Sequence, residues 1–426
     1  MVLNLKHMSI AIAALLAIQV PVLAGDALAI RVGRAETIAN GTVEHAVILV
    51  ENGRITMVEQ DLPIERGIPI LDRPEWTAMP GLVLAYTRAG LGGGSASMFE
   101  PQRSAAKELY PASSIWETLR ESGITTVGLF PTGTGVPGQA VALRPMGKTP
   151  AEMILSESAF LKVTLTSDAS AKKRLRDGFE EADEHVEKEQ KAREKWEKDQ
   201  EKKKKKKSSK KKDDDEKDDD KDDKEEKDDE PKVFVAPEPD EKVTPFLRWR
   251  AGELHAVIAI RKAADYLHLL DVLSDEDVKF DLRLPMRSET DIYEVADKIA
   301  EQGCRVVLEP RTAWHPGSRQ DRNVARELSE AGVEVVLIPQ YDSTSSFERW
   351  LSDVGFIVKM GLDREAALRG VTLAAAGMLG LGDRLGSIEA GKDANLLFFD
   401  GDPLEPTSNL EAVMLEGEFV SGEVDL

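Results

Sequence analysis

The fold is decided by the sequence GLDREAALRGVTLAAAGMLGLGDRLGSIEAGKDANLLFFDGDPL, which occupies residues 361–404. Apolar residues at helical spacing lead into a glycine-rich turn and then into LLFF, a pattern typical of a buried strand. After it, AVMLEGEFVSGEV (residues 412–424) favours further short strands separated by a glycine turn. Residues 385–426 are therefore predicted to form a β segment that follows a final helix.

A second β segment is predicted at the other end of the chain. In ALAIRVGRAETIANGTVEHAVILVENGRITMVEQ (residues 27–60) apolar runs alternate with the pairs Asn40-Gly41 and Asn52-Gly53. Asn-Gly pairs between apolar runs are typical of β-hairpin turns. We assign residues 27–78 to this N-terminal segment, so that two β segments bracket the chain.

Between the two β segments, helical and strand patterns alternate. NVARELSEAGVEVVLIP (residues 323–339) is one such unit, in which apolar positions at helical spacing precede a β-branched run. Repeated units of this kind predict a parallel sheet. Residues 79–384, without their charged insertion, have the size of a (β/α)8 barrel, although the periodicity alone also fits a doubly wound open sheet.

A charged insertion interrupts the barrel region at residues 183–232. It contains the runs KKKKKK and DDD, and its apolar residues are too few to offset the entropy of ordering it. We expect a disordered loop or frayed helix here. Two interpretations stay open: a tolerated surface insertion, or a tether that binds cations or a partner.

The overall charge excludes one class of partner. The formal net charge is −21, with 77 acidic and 56 basic residues, which argues against binding to nucleic acid phosphates. The single cysteine, Cys304, excludes an internal disulfide and a thiolate metal cluster. Its surroundings, GCRVVLE, indicate a small buried residue in a strand.

The N-terminus has the features of a secretory signal. Residues 1–24 contain one lysine, an apolar core and the small-residue exit Val22-Leu23-Ala24, with cleavage expected after Ala24. The apolar core is short for a spanning helix, and no later segment is long and apolar enough to span a membrane. We expect an exported protein, periplasmic or extracellular, without a membrane span after cleavage.

Three stretches together carry a family resemblance. VENGRITMVEQ with TAMPGLVLAYTRAGL (residues 50–60 and 77–91) resembles the amidohydrolase opening that leads into "PGLVDAHTH" on the first barrel strand. SGITTVGLFPTG (residues 122–133) is similar to the "GVTTV" second strand, and residues 361–404 are similar to the closing helix and strand return. The sequence most resembles the imidazolonepropionase-like branch of the amidohydrolase superfamily.

This resemblance implies a (β/α)8 TIM-type barrel with a composite β-sandwich domain formed from both chain ends. Members hold zinc or another divalent metal with histidines on the first, fifth and sixth strands and an aspartate on the eighth, and the metal activates a water for attack on a carbonyl. The implied activity is hydrolysis of non-peptide or dipeptide-like C–N bonds.

The ligand positions of the family are altered in this sequence. We therefore expect no metal ligands and no cofactor, because an arginine at such a position repels a cation. The family's positions correspond here to Leu84, Tyr86 and Arg88 on the first strand, Ala259 and Arg261 on the fifth, and Leu284 on the sixth.

One family element is retained. GVEVVLIPQYDSTSSF (residues 332–347) resembles the eighth strand, and Asp342 stands at the position of the aspartate that handles the proton of the attacking water. Asp342 is our candidate catalytic residue. Without a metal, an Asx turn or helix cap after the strand is an equal interpretation.

Four residues are candidates for a pocket at the barrel mouth: Tyr86, Arg88, Arg261 and His315. His315 follows the strand CRVVLEP and is expected on the rim. Arg88 and Arg261 can clamp a carboxylate without a metal. Alternatively, they form ion pairs with Asp342 or Glu309, and we expect Asp342 to face at least one of the two guanidiniums.

Two functions of different classes follow. The first is hydrolysis of C–N bonds, which the resemblance implies and the altered ligand positions oppose. The second is that of a noncatalytic pseudoenzyme, a binding or partner protein with a small-molecule ligand in the barrel mouth. Such a protein is expected to form homo-oligomers or to associate with an intact amidohydrolase.

Overall fold

The computed structural model describes residues 27–92, 97–213, 233–422 and 424. The signal sequence expected at residues 1–24 lies outside these ranges. The strands are β1 (Ala27–Glu36), β2 (Thr42–Glu44), β3 (Ala46–Glu51), β4 (Arg54–Gln60), β5 (Ile70–Pro80), β6 (Leu82–Thr87), β7 (Ser97–Phe99), β8 (Ile124–Leu129), β9 (Gly133–Val136), β10 (Gly138–Leu143), β11 (Ile154–Thr164), β12 (Ala256–Ala259), β13 (Phe280–Arg283), β14 (Val306–Leu308), β15 (Ala313–Trp314), β16 (Asp321–Arg322), β17 (Val335–Leu337), β18 (Leu396–Phe399), β19 (Leu410–Leu415) and β20 (Glu418–Ser421).

Helices alternate with the central strands, and two 3-10 helices, Ala105–Glu108 and Ile292–Val295, accompany them. Within the described residues, no helix is long and apolar enough to cross a membrane. The α-helices are α1 (Ile115–Glu121), α2 (Pro150–Met153), α3 (Ala169–Asp213), α4 (Thr244–Arg250), α5 (Ala263–Val272), α6 (Ala296–Gln302), α7 (Val324–Glu330), α8 (Thr344–Glu348), α9 (Trp350–Lys359), α10 (Arg364–Val371) and α11 (Leu373–Met378).

One eight-stranded sheet joins the two ends of the chain. Its order is β20-β19-β18-β5-β1-β3-β4, with β2 on β1, and β18 lies antiparallel to β5. Side chains alternate across it. Leu396 and Phe398 pack in the core of this β domain, whereas Leu397 and Phe399 pack in the core of the barrel. The β domain composed of both chain ends is confirmed.

The second eight-stranded sheet is the barrel, in the order β6-β8-β10-β11-β12-β13-β14-β17. Six of its strands are buried along their whole length, which explains apolar runs such as VVL in both β14 and β17. The TIM-type fold is confirmed, with one difference. Strand β10 runs antiparallel to both β8 and β11. It follows β9 without a helix, and a parallel return would need a crossover of a dozen or more residues.

Residues 361–404 form α10, α11 and β18. The Asp363 side chain accepts a hydrogen bond from the Ala366 N–H at 2.8 Å and so caps the start of α10. The predicted single helix is divided in two at Thr372, whose hydroxyl donates to the carbonyl of Leu368. This internal bond competes with continuation of the helix.

Of the two forms expected for the insertion, a disordered loop or a frayed helix, residues 183–213 take the helical one and continue helix α3. The helix begins on the barrel, where Leu175 and Phe179 are buried. Farther out, pairs such as Lys191 with Glu187, at 2.9 Å, support it at i,i+4 spacing. Residues 214–232 lie outside the described part of the chain.

Deletion of residues 202–230 is expected to change the melting temperature by less than about 2 °C. Trp196 of α3 packs against Phe234, with ring centroids 5.9 Å apart, and Lys202 farther along the helix is exposed. Differential scanning calorimetry provides the measurement. As a matched change, Trp196→Ala removes an aromatic contact and should lower the melting temperature by roughly 1 to 6 °C. A loss of several degrees on deletion would show that the segment packs.

Candidate site at the mouth of the barrel

The candidate residues lie where the parallel barrel strands end. Strands β6, β12, β13 and β17 are the first, fifth, sixth and eighth of the sheet, and they end at Thr87, Ala259, Arg283 and Leu337. The C-terminal ends of parallel barrel strands form one rim, on which the ligand sites of such barrels are built. The expected positions therefore belong to one region of the molecule.

Asp342 connects the last strand of the barrel to the first. The hydroxyl of Thr87 donates to its Oδ1, and the backbone N–H of Arg88 donates to its Oδ2 at 3.0 Å. Within the described residues, the pairing of the sheet does not continue from β17 to β6. The carboxylate thus supplies a side-chain link across this gap, and its hydrogen bonds reach the end of β6 instead of closing a local turn.

The predicted ion pair of Asp342 is wrong. The guanidinium of Arg88 donates instead to the carbonyls of Phe130, at 2.9 Å, and Gly92. Arg261 contacts Asp265 through its backbone N–H at 3.1 Å, and its guanidinium forms no ion pair in the described ranges. The backbone N–H of Arg88 binds the carboxylate of Asp342. Because this aspartate is exposed, its charge does not need a guanidinium as a counter-charge.

Tyr86 lies inside the barrel, at the position expected for a family histidine. Its ring centroid is 4.0 Å from that of Phe130 and 5.8 Å from that of Phe160, to which it is nearly parallel. Burial raises the pKa of the Tyr86 phenol to about 12. At neutral pH this side chain is therefore an uncharged member of an aromatic cluster, which we call the Tyr86 cluster (Tyr86, Phe130 and Phe160).

Lys162, which the sequence analysis did not single out, lies against this cluster. It is 7% exposed, its Nζ donates to the carbonyl of Gly133 at 3.1 Å, and the same atom lies 4.2 Å from the ring centroid of Phe130. Burial, together with the nearby charge of Arg88, lowers the pKa of the Lys162 ammonium to about 8. A backbone carbonyl and an aromatic ring are the partners expected for the ammonium of Lys162, because it has no carboxylate beside it.

The charged pair inside the barrel is Arg283 with Glu309. Both residues are 8% exposed, and the guanidinium of Arg283 donates to both oxygens of the carboxylate. Glu309 also accepts from the N–H of Met286 at 2.8 Å, and the Arg283 guanidinium lies 5.6 Å from the Tyr86 ring centroid. The sequence analysis placed the sixth-strand position at Leu284, one residue later. The sequence FDLR, in which two charged residues stand within a buried strand, is the signal from which a charged pair inside the barrel could have been predicted.

His315 lies on the outer rim. It follows β15, its Nδ1 lies 3.0 Å from the carbonyl oxygen of Pro316, and its ring centroid is 5.8 Å from that of Tyr293. Across the described residues, no group of three or more histidine, cysteine, aspartate or glutamate side chains is placed to hold a metal ion. The structure therefore brings Tyr86 and Arg88 together around Phe130 and leaves His315 and Arg261 apart from them.

Comparisons with known proteins agree with this architecture. The model of the amidohydrolase family matches residues 262–424. An imidazolonepropionase of Syntrophobacter fumaroxidans (strain DSM 10017 / MPOB) is 33% identical over 105 residues, which are 24% of each chain. The amidohydrolase tasK of Hapsidospora irregularis is 54% identical over 44 residues, 10% of this chain and 4% of that protein. The chain thus spans a quarter or less of the length of these relatives.

The solved structures extend the likeness to nearly the whole fold. An amidohydrolase from Thermotoga maritima MSB8 superposes with a TM-score of 0.72 at 20% identity, covering 93% of this chain and 100% of that one. A prolidase solved with N-methylphosphonate-L-proline covers the same shares, with a TM-score of 0.55 at 14% identity. The fold is therefore that of these amidohydrolase structures, and residues 262–424 match the model of the amidohydrolase family.

Proposed function

We propose that this chain is a noncatalytic member of the superfamily, which retains the barrel as a binding or partner protein. The observation that carries the proposal is the Tyr86 cluster with its two cations. An aromatic ring occupies the first-strand position, and the charged groups against the cluster are Lys162 and Arg283. Neither cation is a ligand for another cation.

The described residues do not fit a divalent metal. A catalytic zinc takes three protein ligands, drawn from histidine, carboxylate and thiolate, and leaves one open position. Here the buried carboxylate, Glu309, is already bound by Arg283, and the retained Asp342 is bound by Thr87 and Arg88.

Purified protein is expected to hold far less than about one equivalent of zinc, manganese or iron per chain, because the mouth carries fixed positive charge where ligands are needed. Elemental analysis by mass spectrometry after dialysis against each metal gives the measurement. Tyr86→His with Arg88→His restores only two ligands and should remain without tightly bound metal.

A second candidate function is hydrolysis of non-peptide or dipeptide-like C–N bonds, and the specific observation in its favour is Asp342. Its carboxylate lies in the loop after the eighth strand, exposed and held by two hydrogen bonds. Such a group can accept a proton from a water molecule. Hydrolysis of amides or lactams by metal-supplemented protein, abolished by Asp342→Asn, would support this function and contradict the first.

We further propose that the chain is exported. The supporting feature is the apolar stretch that ends in Val22-Leu23-Ala24. Mass spectrometry of protein isolated from its native host is expected to show a mature N-terminus close to Gly25. Ala24→Arg should block cleavage, because signal cleavage sites require small residues. Exported protein that still begins with Met1 would contradict the proposal.

A further inference from the structure

Four arginines on the rim of the barrel have no partner side chain among the residues that the structure describes. Arg261 follows β12, Arg287 follows β13, and Arg311 and Arg319 follow β14. In the described part of the molecule, none of these four guanidiniums forms a hydrogen bond or an ion pair. They come from loops after three adjacent parallel strands, so they belong to the same side of the mouth.

The arginines at the opposite, N-terminal end of the barrel behave differently. Arg305, at the start of β14, contacts Asp281 at 3.0 Å and Glu334 at 2.9 Å. Arg369 on α10 also contacts Glu334, at 2.7 Å. In a chain with 77 acidic and 56 basic residues, carboxylates are plentiful, so unpaired guanidiniums gathered on one rim are available for an anion from outside.

Two of the rim arginines face a common cavity. A cavity of about 730 Å³ is lined by Arg287, Ser288, Glu289, Arg311 and Trp314. With one carboxylate against two guanidiniums, its lining carries a net positive charge. A second cavity, of about 280 Å³, has Arg311 and Phe356 in its wall. Because Arg311 lines both, the two cavities adjoin at this side chain.

Exposed aromatic rings accompany the charge. Trp314 is 44% exposed and Phe356 is 52% exposed, although both are large apolar side chains. Aromatic rings and arginines together are the side chains that dominate the energetics of recognition sites. A ligand that offers a carboxylate to the arginines and a flat apolar body to the rings fits both properties of this surface.

The loops that carry these groups are fixed to each other. The N–H of Trp314 donates to the carbonyl of Ser288 at 2.6 Å, and the N–H of Thr290 donates to the carbonyl of Trp314 at 3.2 Å. Trp314 also pairs with Asp321 in the hairpin of β15 and β16. The backbone of the two loops is therefore fixed before a ligand arrives, which lowers the part of the entropy cost of binding that comes from ordering the loops.

We propose that the cavity between Arg287 and Arg311 binds the carboxylate of an organic acid that has a planar apolar body, with Trp314 against that body. This inference rests on the proposed binding function and names its ligand class. The same chemistry is offered by a free aromatic acid and by a peptide that ends in an aromatic residue. A guanidinium can bind both oxygens of such a carboxylate.

Isothermal titration calorimetry with N-acetyl-L-phenylalanine tests the proposal on the full chain at low salt. We expect a dissociation constant below about 1 mM and no binding of the matched amide, N-acetyl-L-phenylalaninamide. Arg287→Gln and Arg311→Gln should each weaken binding by roughly 10- to 100-fold, and Trp314→Ala by roughly three- to tenfold. Arg31→Gln, which removes the same charge from the distant β1, should have no effect.

A pentapeptide with the same C-terminal phenylalanine separates the two sources of ligand. Equal affinity indicates a small acid, whereas tighter binding indicates a peptide C-terminus, and both support the proposal. Absent binding, equal binding of the amide, or full affinity in Arg287→Gln and Arg311→Gln would overturn it. The metal content of the same preparation tests the noncatalytic function separately: metal-free protein that does not bind the acid contradicts only the ligand assignment.

Discussion

Replacing Glu309 by glutamine is expected to destabilise the protein by about 3 to 5 kcal/mol. The change leaves the charge of Arg283 without a counter-charge inside the barrel, where both side chains are about one-tenth exposed. Unfolding in urea, followed by circular dichroism, gives the free energy. The loss of stability arises because the charge of Arg283 stays buried without a counter-charge. It is therefore expected even if the Arg283–Glu309 pair itself contributes little to the free energy of unfolding.

Two matched variants separate this explanation from a simple loss of packing. Arg283→Met with Glu309→Leu removes both charges and should recover much of the loss, because no buried charge then remains. Asp72→Asn breaks the exposed pair with Arg31, at 2.9 Å, and should cost less than about 1 kcal/mol. If Glu309→Gln were as mild as Asp72→Asn, the barrel interior would be accessible to water.

Replacing Lys162 by methionine is expected to stabilise the protein at pH 7 by up to about 3 kcal/mol. The pKa of Lys162 is about 8 in the folded protein, against about 10.4 in the unfolded chain. At pH values between these two pKa values the unfolded chain binds more protons than the folded protein. The free energy of unfolding of the unchanged protein therefore rises with pH in this range. Below pH 8 both states are protonated, and the full cost of burying the ammonium remains.

The difference between the two proteins should therefore depend on pH. Urea unfolding at pH 7 and pH 10 is expected to show a gap that narrows to less than about 1 kcal/mol at the higher pH. Lys262→Met, at an exposed lysine on the rim, should give no such convergence. A pH-independent gap for Lys162→Met would mean that packing of the methionine, and not the charge, is responsible.

The sequence predicted most of the fold because its signals are local. The closing stretch at residues 361–404, the Asn-Gly turns and the helix-strand repeats each specify neighbouring residues, and the resemblance supplied their arrangement. The antiparallel strand β10 was missed because its direction depends on the absence of a crossover helix after β9. For residues 183–213 composition left a loop and a helix both open, because it does not reveal the i,i+4 pairing that supports the helix.

The site was less predictable, because it depends on contacts between distant residues. Tyr86 lies inside the barrel, and its ring partners, Phe130 directly after β8 and Phe160 in β11, could not be read from the sequence of β6. Arg88 was expected to use its guanidinium towards Asp342 and uses its backbone N–H instead. The Arg283–Glu309 pair joins the last residue of β13 to the residue that follows β14. We expected Leu284 at the sixth-strand position, but Arg283, one residue earlier, is the side chain that enters the barrel.

The antiparallel pairing of β5 with β18 also affects how the chain is made. β5 ends at Pro80, and its partner begins only at Leu396. At a synthesis rate of about 5 to 20 residues per second, the edge of β5 waits roughly 16 to 60 seconds for its partner. During this time an unpaired strand edge can capture another chain. Ribosome-bound chains that stop before Leu396 should therefore aggregate or recruit chaperones, and a few additional residues that include β18 should relieve this.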